Sequence, residues 1–357
     1  HKKPSGVWIM AYTTIDDPTA YFQTKLYTGN SSTQSITFDG NTNMQPDWVW
    51  IKSRSATEWH QVHDSVRGVA KYLFTNTTSA EGERSPNDQV TSFNSNGFSL
   101  GAGANDSVNS NGGTYASWNW KASGSTSTNS DGDINGTQTV SQTAGFSVTT
   151  YSGNGGSNQR LGHGLGVTPK VYICKRRDNT GQWLVVNTLI DGTLDYLFLE
   201  STAAKSNSGR TLPTSSVVYL ENGGDANESG GTHVMYAFAE KKGYSKFGSY
   251  TGNGSTDGTF VYTGFKPAWF MLKKTSAANS WQIYDNKRDT GNALDNALEA
   301  NDSAAEYSGT DRLDFLSQGV KLRTNGSAQN TSGETYIFMA FAENPFVTST
   351  GVPACAR

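Results

Sequence analysis

The sequence predicts an all-β protein of three tandem β-sandwich modules, jelly-roll or lectin-like, each of about 100 residues. Three observations carry this expectation. One block of motifs recurs three times along the chain. Apolar residues come in short runs or in period-two alternation. Turn-forming residues are abundant and helical periodicity is scarce.

The recurring block opens on Tyr27-Thr28-Gly29-Asn30, Tyr151-Ser152-Gly153-Asn154 and Tyr250-Thr251-Gly252-Asn253. Each copy then reaches a proline followed by an apolar strand, at Pro46 to Lys52, Pro169 to Lys175 and Pro267 to Lys273. A tryptophan segment follows, at Trp59, Trp183 and Trp281, and then an acid or amide, Asp64, Asn187 or Asp285. Each copy closes on an aromatic strand, from Thr114 to Trp120, Thr232 to Glu240 and Thr335 to Glu343. The organisation expected is a connecting segment 1–24, modules 25–122, 146–243 and 244–347, a linker 123–145 and a tail 348–357. The linker is rich in Ser, Thr, Asn and Gly, which favours extended, solvated chain. The modules are expected in line, as a rod.

The strand assignments follow from side-chain alternation. Trp48 and Trp50 share one face, Val49 and Ile51 the other. The run Tyr336 to Ala342 is apolar on both faces, so it belongs in the middle of a covered sheet. Helical candidates reduce to single turns at Asp295–Ala300 and Asp302–Glu306.

Composition limits the function classes. Hydrophobic residues make up 34% of 357, below the usual share of about 45–50%, which favours several small cores. Lys and Arg number 28 against 31 Asp and Glu, a net −3 with no basic block, so nucleic acid is not an expected partner. No apolar run reaches the roughly 20 residues of a membrane span. Cys174 sits in an apolar strand and Cys355 in the tail, so no disulfide between them is expected.

The motif set also resembles a known repeat. Gln45 to Arg54, Asp64-Ser65-Val66-Arg67-Gly68, Ser92 to Phe98, Trp118-Asn119-Trp120-Lys121-Ala122 and Phe247 to Gly254 resemble a repeat of proteins assigned as tail fibres of marine phages, including cyanophages. The resemblance runs from about Phe22 to Phe346. It implies a virion location and a structural or host-recognition role, and it carries over no catalytic residues. The second copy departs from it: Asn187-Thr188-Leu189-Ile190 replaces the Asp-Ser-x-Arg stretch.

Few constellations suggest chemistry. Trp59, Trp183 and Trp281, with Trp48 and Trp269, recur at corresponding places and read as core anchors; the alternative for the first three is a sugar-stacking platform. Asp64 with Arg67, and Asp285 with Arg288, read as turn-stabilising pairs. His60 and His63 lie on opposite faces of a strand, one exposed and one half-buried, and cannot join on one metal. Asp131-Gly132-Asp133-Ile134-Asn135-Gly136 matches half a calcium loop, but Gln142 stands where a bidentate glutamate is needed. No nucleophile elbow, Cys–His pair or phosphate loop is present. The expectation is a non-enzymatic virion protein without catalytic metal or cofactor. Its expected partners are copies of itself as a homotrimer, other virion proteins and a host-surface glycan. The trimer follows from small modules that need neighbours and from apolar Val7, Trp8, Ile9, Met10, Tyr21 and Phe22 outside the repeats. A carbohydrate-binding adhesin, a head-decoration protein and a glycan depolymerase are the rivals.

Overall fold

A computed structural model describes residues 12–84, 88–102, 107–309 and 312–354. Val7 to Met10 and Cys355 lie outside the described residues. The protein is all-β. The one helix among the described residues is a 3-10 turn at Pro18–Ala20, which Asp17 caps through its side chain. The helical turns expected at Asp295–Ala300 and Asp302–Glu306 are absent; the first contains a short strand.

The first unit holds β1 (Phe22–Thr28), β2 (Gln34–Thr37), β3 (Trp48–Ser53), β4 (Gln61–Asp64), β5 (Lys71–Phe74), β6 (Gly82–Glu83), β7 (Val90–Asn94), β8 (Gly97–Leu100) and β9 (Thr114–Trp120). Its large sheet runs β1-β9-β3-β4-β5-β6 and its small sheet β2-β8-β7. Next come β10 (Ser127–Asn129), β11 (Gly136–Ser141), β12 (Phe146–Ser152), β13 (Gln159–Gly162), β14 (Val171–Arg176), β15 (Leu184–Asn187), β16 (Asp195–Phe198), β17 (Ser206–Asn207), β18 (Val217–Leu220) and β19 (Thr232–Phe238). Here the large sheet runs β10-β11-β12-β19-β14-β15-β16-β17 and the small one pairs β13 with β18. The last group is β20 (Ser245–Thr251), β21 (Phe260–Tyr262), β22 (Phe265–Lys274), β23 (Gln282–Asp285), β24 (Leu298–Glu299), β25 (Leu313–Leu316), β26 (Gly319–Leu322) and β27 (Thr335–Pro345). Its sheets run β20-β27-β22-β23-β24 and β21-β26-β25.

The same strand order thus occurs three times: opening strand, closing strand, proline-led strand, tryptophan-led strand, then a short edge. Residues 123–145, expected as a linker, instead form the β10–β11 hairpin, which pairs with β12 and widens the second sheet. Their Ser, Thr and Asn side chains suit an exposed edge hairpin as well as they suit a linker.

Alternation along the strands produces two kinds of core. One face of each large sheet packs on its own small sheet. Val49, Ile51 and Phe98 fill the first such core, Tyr172, Cys174 and Val218 the second, and Phe270, Leu272 and Val320 the third. The other faces of all three large sheets meet in one shared core. Trp48, Trp50, Trp118 and Trp120 from the first unit join Val171, Ile173, Tyr236 and Phe238 from the second and Trp269, Met271, Met339 and Phe341 from the third. The in-line rod is therefore corrected. The three units close on one another, because each large sheet has a second apolar face that water would otherwise wet. Tyr21 and Phe22 also go to this core; Phe22 stacks on Phe341 at 5.2 Å.

Trp48 shows how tightly the units are joined. Its ring lies 4.6 Å from Trp120 in its own unit and 4.6 Å from Tyr236 in the next. Because the core is common, the chain should unfold in one calorimetric transition. Trp48→Ala should lower the stability of the whole by about 3–5 kcal/mol. Three resolved transitions, or a loss confined to one of them, would contradict a shared core.

Candidate functional site

The recurring polar residues sit at the seams between units. Asp64 ends β4 and caps the following turn, accepting from the backbone N–H of Val66 and Arg67. Its Oδ2 takes Nε of Arg67 at 2.5 Å and the hydroxyl of Tyr236, from the second unit, at 2.7 Å. Arg67 continues to Glu81 at 3.0 Å, and Glu81 accepts two N–H groups of Arg177, again from the second unit, at 2.9 Å. Burial opposes the charge on Glu81, yet Arg177 and Arg67 together hold its carboxyl below the usual value.

The seam between the third and first units repeats this chain with other donors. Trp118 Nε1 donates to Asp285 at 3.0 Å, Arg288 Nε to Asp285 at 2.5 Å, Arg288 to Glu306 at 3.1 Å and Arg54 to Glu306 at 2.6 Å. Among the described residues the third seam has no such chain. By strand register, Met339 stands where Trp118 and Tyr236 stand in β9 and β19. The residues at the places of the Asp and the Arg are Asn187 and Ile190. A methionine offers no N–H or O–H, and a buried Asp–Arg pair is costly without full hydrogen bonding. The departure of the second copy is thus matched by a departure at the corresponding place in the third unit's closing strand. The turn pairs expected from the sequence are present, but their larger role is to join units, which Glu81, Glu306, Arg177 and Arg54 complete. Of those four, only Arg54 falls within a motif the sequence marks; Glu81, Glu306 and Arg177 do not.

The tryptophan expectation needs one correction. Trp183 and Trp281 are buried and each caps the neighbouring unit, donating to the carbonyls of Phe74 at 2.8 Å and Phe198 at 3.0 Å. Trp59 is 48% exposed, lying edge-on to Phe74. The residue four before Asp64 is His60, just as Trp183 and Trp281 are four before Asn187 and Asp285. His60 therefore takes the anchor position. It is buried, accepts from Trp50 Nε1 at 2.9 Å and faces the Glu299 carbonyl of the third unit. Counting back from the acid rather than forward from the tryptophan would have found it. Trp48 and Trp269 are buried as core anchors.

Other candidates resolve into structure. His63 is buried like His60, correcting the expectation of one exposed ring. Burial first, then the charge of Arg67, holds its imidazole down to about 3. Asp133 of the calcium-like hairpin is ion-paired to Arg160 at 2.7 Å. Cys174 is a buried thiol pushed up to about 12 by burial. No helix of the described residues is long and apolar enough to cross a membrane.

A concave feature lies on the third unit. A groove of about 590 Å³ is lined by Asp289, Thr290, Asn292, Ser317 and Glu343 among others. A smaller hollow of about 220 Å³, toward the first unit, shares Asn286, Glu343 and Asn344 with it. Both groove carboxylates are engaged. Glu343 pairs with Lys266 at 2.7 Å, and Asp289 accepts from the Asn296 backbone and side chain. The groove presents hydroxyls, amides and paired charges, a lining for hydrogen bonding to a polar ligand.

The profile of the family described as Domain of unknown function (DUF7483) matches residues 17–345, and the chain belongs to that family. No curated protein and no solved structure matches it.

Arg288→Ile should cost about 3–5 kcal/mol by leaving Asp285 buried and unpaired. Adding Asp285→Asn and Trp118→Met reproduces the residues of the third seam and should recover part of that loss. Equal stability of the single and triple variants in denaturant titration would argue against this coupling. Acid should also destabilise the protein through its histidines. His63 is neutral when folded down to about pH 3, whereas the unfolded imidazole titrates near 6.5. The unfolded chain binds more protons between these values, so stability is present above about pH 6.5 and is lost as pH falls toward 3. Stability measured between pH 7 and 5 should fall less steeply in His63→Gln; an unchanged slope would refute the assignment.

Proposed function

We propose that this member of the DUF7483 family is a non-enzymatic structural protein of a phage particle, a tail-fibre or surface-appendage subunit that meets the host surface. The observation that carries the reading is the closure of β-sandwich units around one core. That arrangement makes a rigid block whose small sheets and connecting loops face outward, free to vary in side chain without disturbing the core. The resemblance of the repeat motifs to phage tail-fibre repeats points the same way and is an argument by analogy. The engaged state of Asp289 and Glu343 favours binding over depolymerisation, since glycan hydrolysis needs an acid and a free carboxylate across the bond.

Partners would meet the outer faces. The apolar faces of the large sheets already close on one another, so a homotrimer would be built from small-sheet surfaces and chain ends. Other virion proteins and a host glycan are the remaining partners of this reading. A carbohydrate-binding adhesin outside a virion is the alternative, supported by the polar groove.

Immunogold labelling of intact particles with antibody to the purified chain tests the location. Gold on the tail or on surface projections is expected. Signal in infected-cell lysate with none on particles would overturn the virion reading and leave the adhesin.

A further inference from the structure

The three units provide an internal control on which surface residues the fold needs. In each small sheet, one strand buries its central residue; the residues flanking it are exposed in the first and third units, while in the second Arg160 is exposed and Gly162 is buried against Asn129. The central residues are Ile36, Leu161 and Val261, buried in all three units and paired with Phe98, Val218 and Val320. By the same register, the flanking residues are Ser35 and Thr37 in the first unit and Arg160 and Gly162 in the second. In the third they are Phe260 and Tyr262, 45% and 54% exposed. The fold therefore forms with small, polar or charged residues at these places. Two large rings side by side on an edge strand serve no packing need, and adjacent exposed aromatics are less ordinary than scattered ones.

We propose that Phe260 and Tyr262 are the stacking platform of an oligosaccharide-binding site on the third unit, and that the ligand is an uncharged glycan. This rests on the adhesive part of the proposed function and gives it a place. Residues two apart on a strand point the same way and sit about 7 Å apart, so two successive sugar rings can lie along them. Phe260 lies beside Gly319, a glycine that the backbone already requires, since a Cβ there would meet the Val261 carbonyl just as one at Gly97 would meet that of Ile36.

The surroundings identify the ligand class. The platform adjoins the polar groove. Ser317 lines the groove, and the carbonyl of the next residue, Gln318, accepts from Thr263 and Gly264, which follow Tyr262. Rings for C–H faces thus stand one hydrogen-bonded turn away from the hydroxyls and amides of the groove, which offer partners for sugar hydroxyls. An apolar protein segment or a lipid tail would leave that polar lining unmatched. The flanking cations are each taken by a carboxylate: Lys321 by Asp257 at 2.7 Å, Arg323 by Asp314 at 2.6 Å and Lys266 by Glu343 at 2.7 Å. Such a rim does not select an acidic sugar or a phosphate, which would call for unpaired cations.

The test uses the full chain and a panel of neutral and acidic oligosaccharides, with binding read by calorimetry. Phe260→Ser and Tyr262→Thr install the residues that the first unit carries at these positions, so the fold has a precedent for both. Each should weaken binding of a neutral oligosaccharide about tenfold with an unchanged melting temperature. Tyr262→Phe should keep most of the affinity. Unchanged binding in both Ser and Thr variants would place the glycan site elsewhere and overturn the inference while leaving an adhesin. Binding of acidic glycans alone, or of a sugar-free host protein, would overturn the ligand class. Particle labelling is independent of all these outcomes, so a failed glycan site and a failed virion assignment are told apart.

Discussion

Each large sheet in this chain is apolar on both faces, and that constraint organises the molecule. One face is satisfied locally by a small sheet of the same unit. The other cannot be, and a lone unit would leave Trp48, Trp50, Trp118 and Trp120, or their counterparts, in water. Burying such rings is worth several kcal/mol each. Three units turned inward on one another remove the exposed face, and they explain how a chain with few hydrophobic residues sustains an ordered fold. The small cores hold each unit together; the shared one makes them a single body.

Closing three similar units creates three similar seams, and the seams are where polar chemistry enters. Two carry a buried chain of aromatic donor, aspartate, arginine, glutamate and arginine. The third carries Met339, Asn187 and Ile190. Buried charge is tolerated where every hydrogen bond is made and is absent where the donor is missing. The units are thus alike in backbone while each seam has its own complement of partners, which favours the native pairing of neighbours over others.

The outer surface is under no such constraint. Ser35 and Thr37, Arg160, and Phe260 and Tyr262 occupy matching outer places with little in common chemically. Variation of this kind lets a repeated scaffold dedicate one copy to recognition. The contrast between Trp59 and Trp183 makes the same point from the other side. Tryptophans that look alike in sequence lie one residue apart in register, so one is exposed and the other is part of a seam.

The sequence by itself determined the strands, their alternation and the recurrence of the block, because these depend on residues close together in the chain. It also marked Asp64–Arg67 and Asp285–Arg288, since a capped turn is a local event. Only the tertiary structure decided that the units close instead of standing in line, that residues 123–145 form a hairpin, and that His60 fills an anchor position. It alone brought Glu81 to Arg177 and Glu306 to Arg54. Most of these outcomes depend on which faces meet between units far apart in the chain. Alternation tells which residues share a face, but it does not say against what that face is buried.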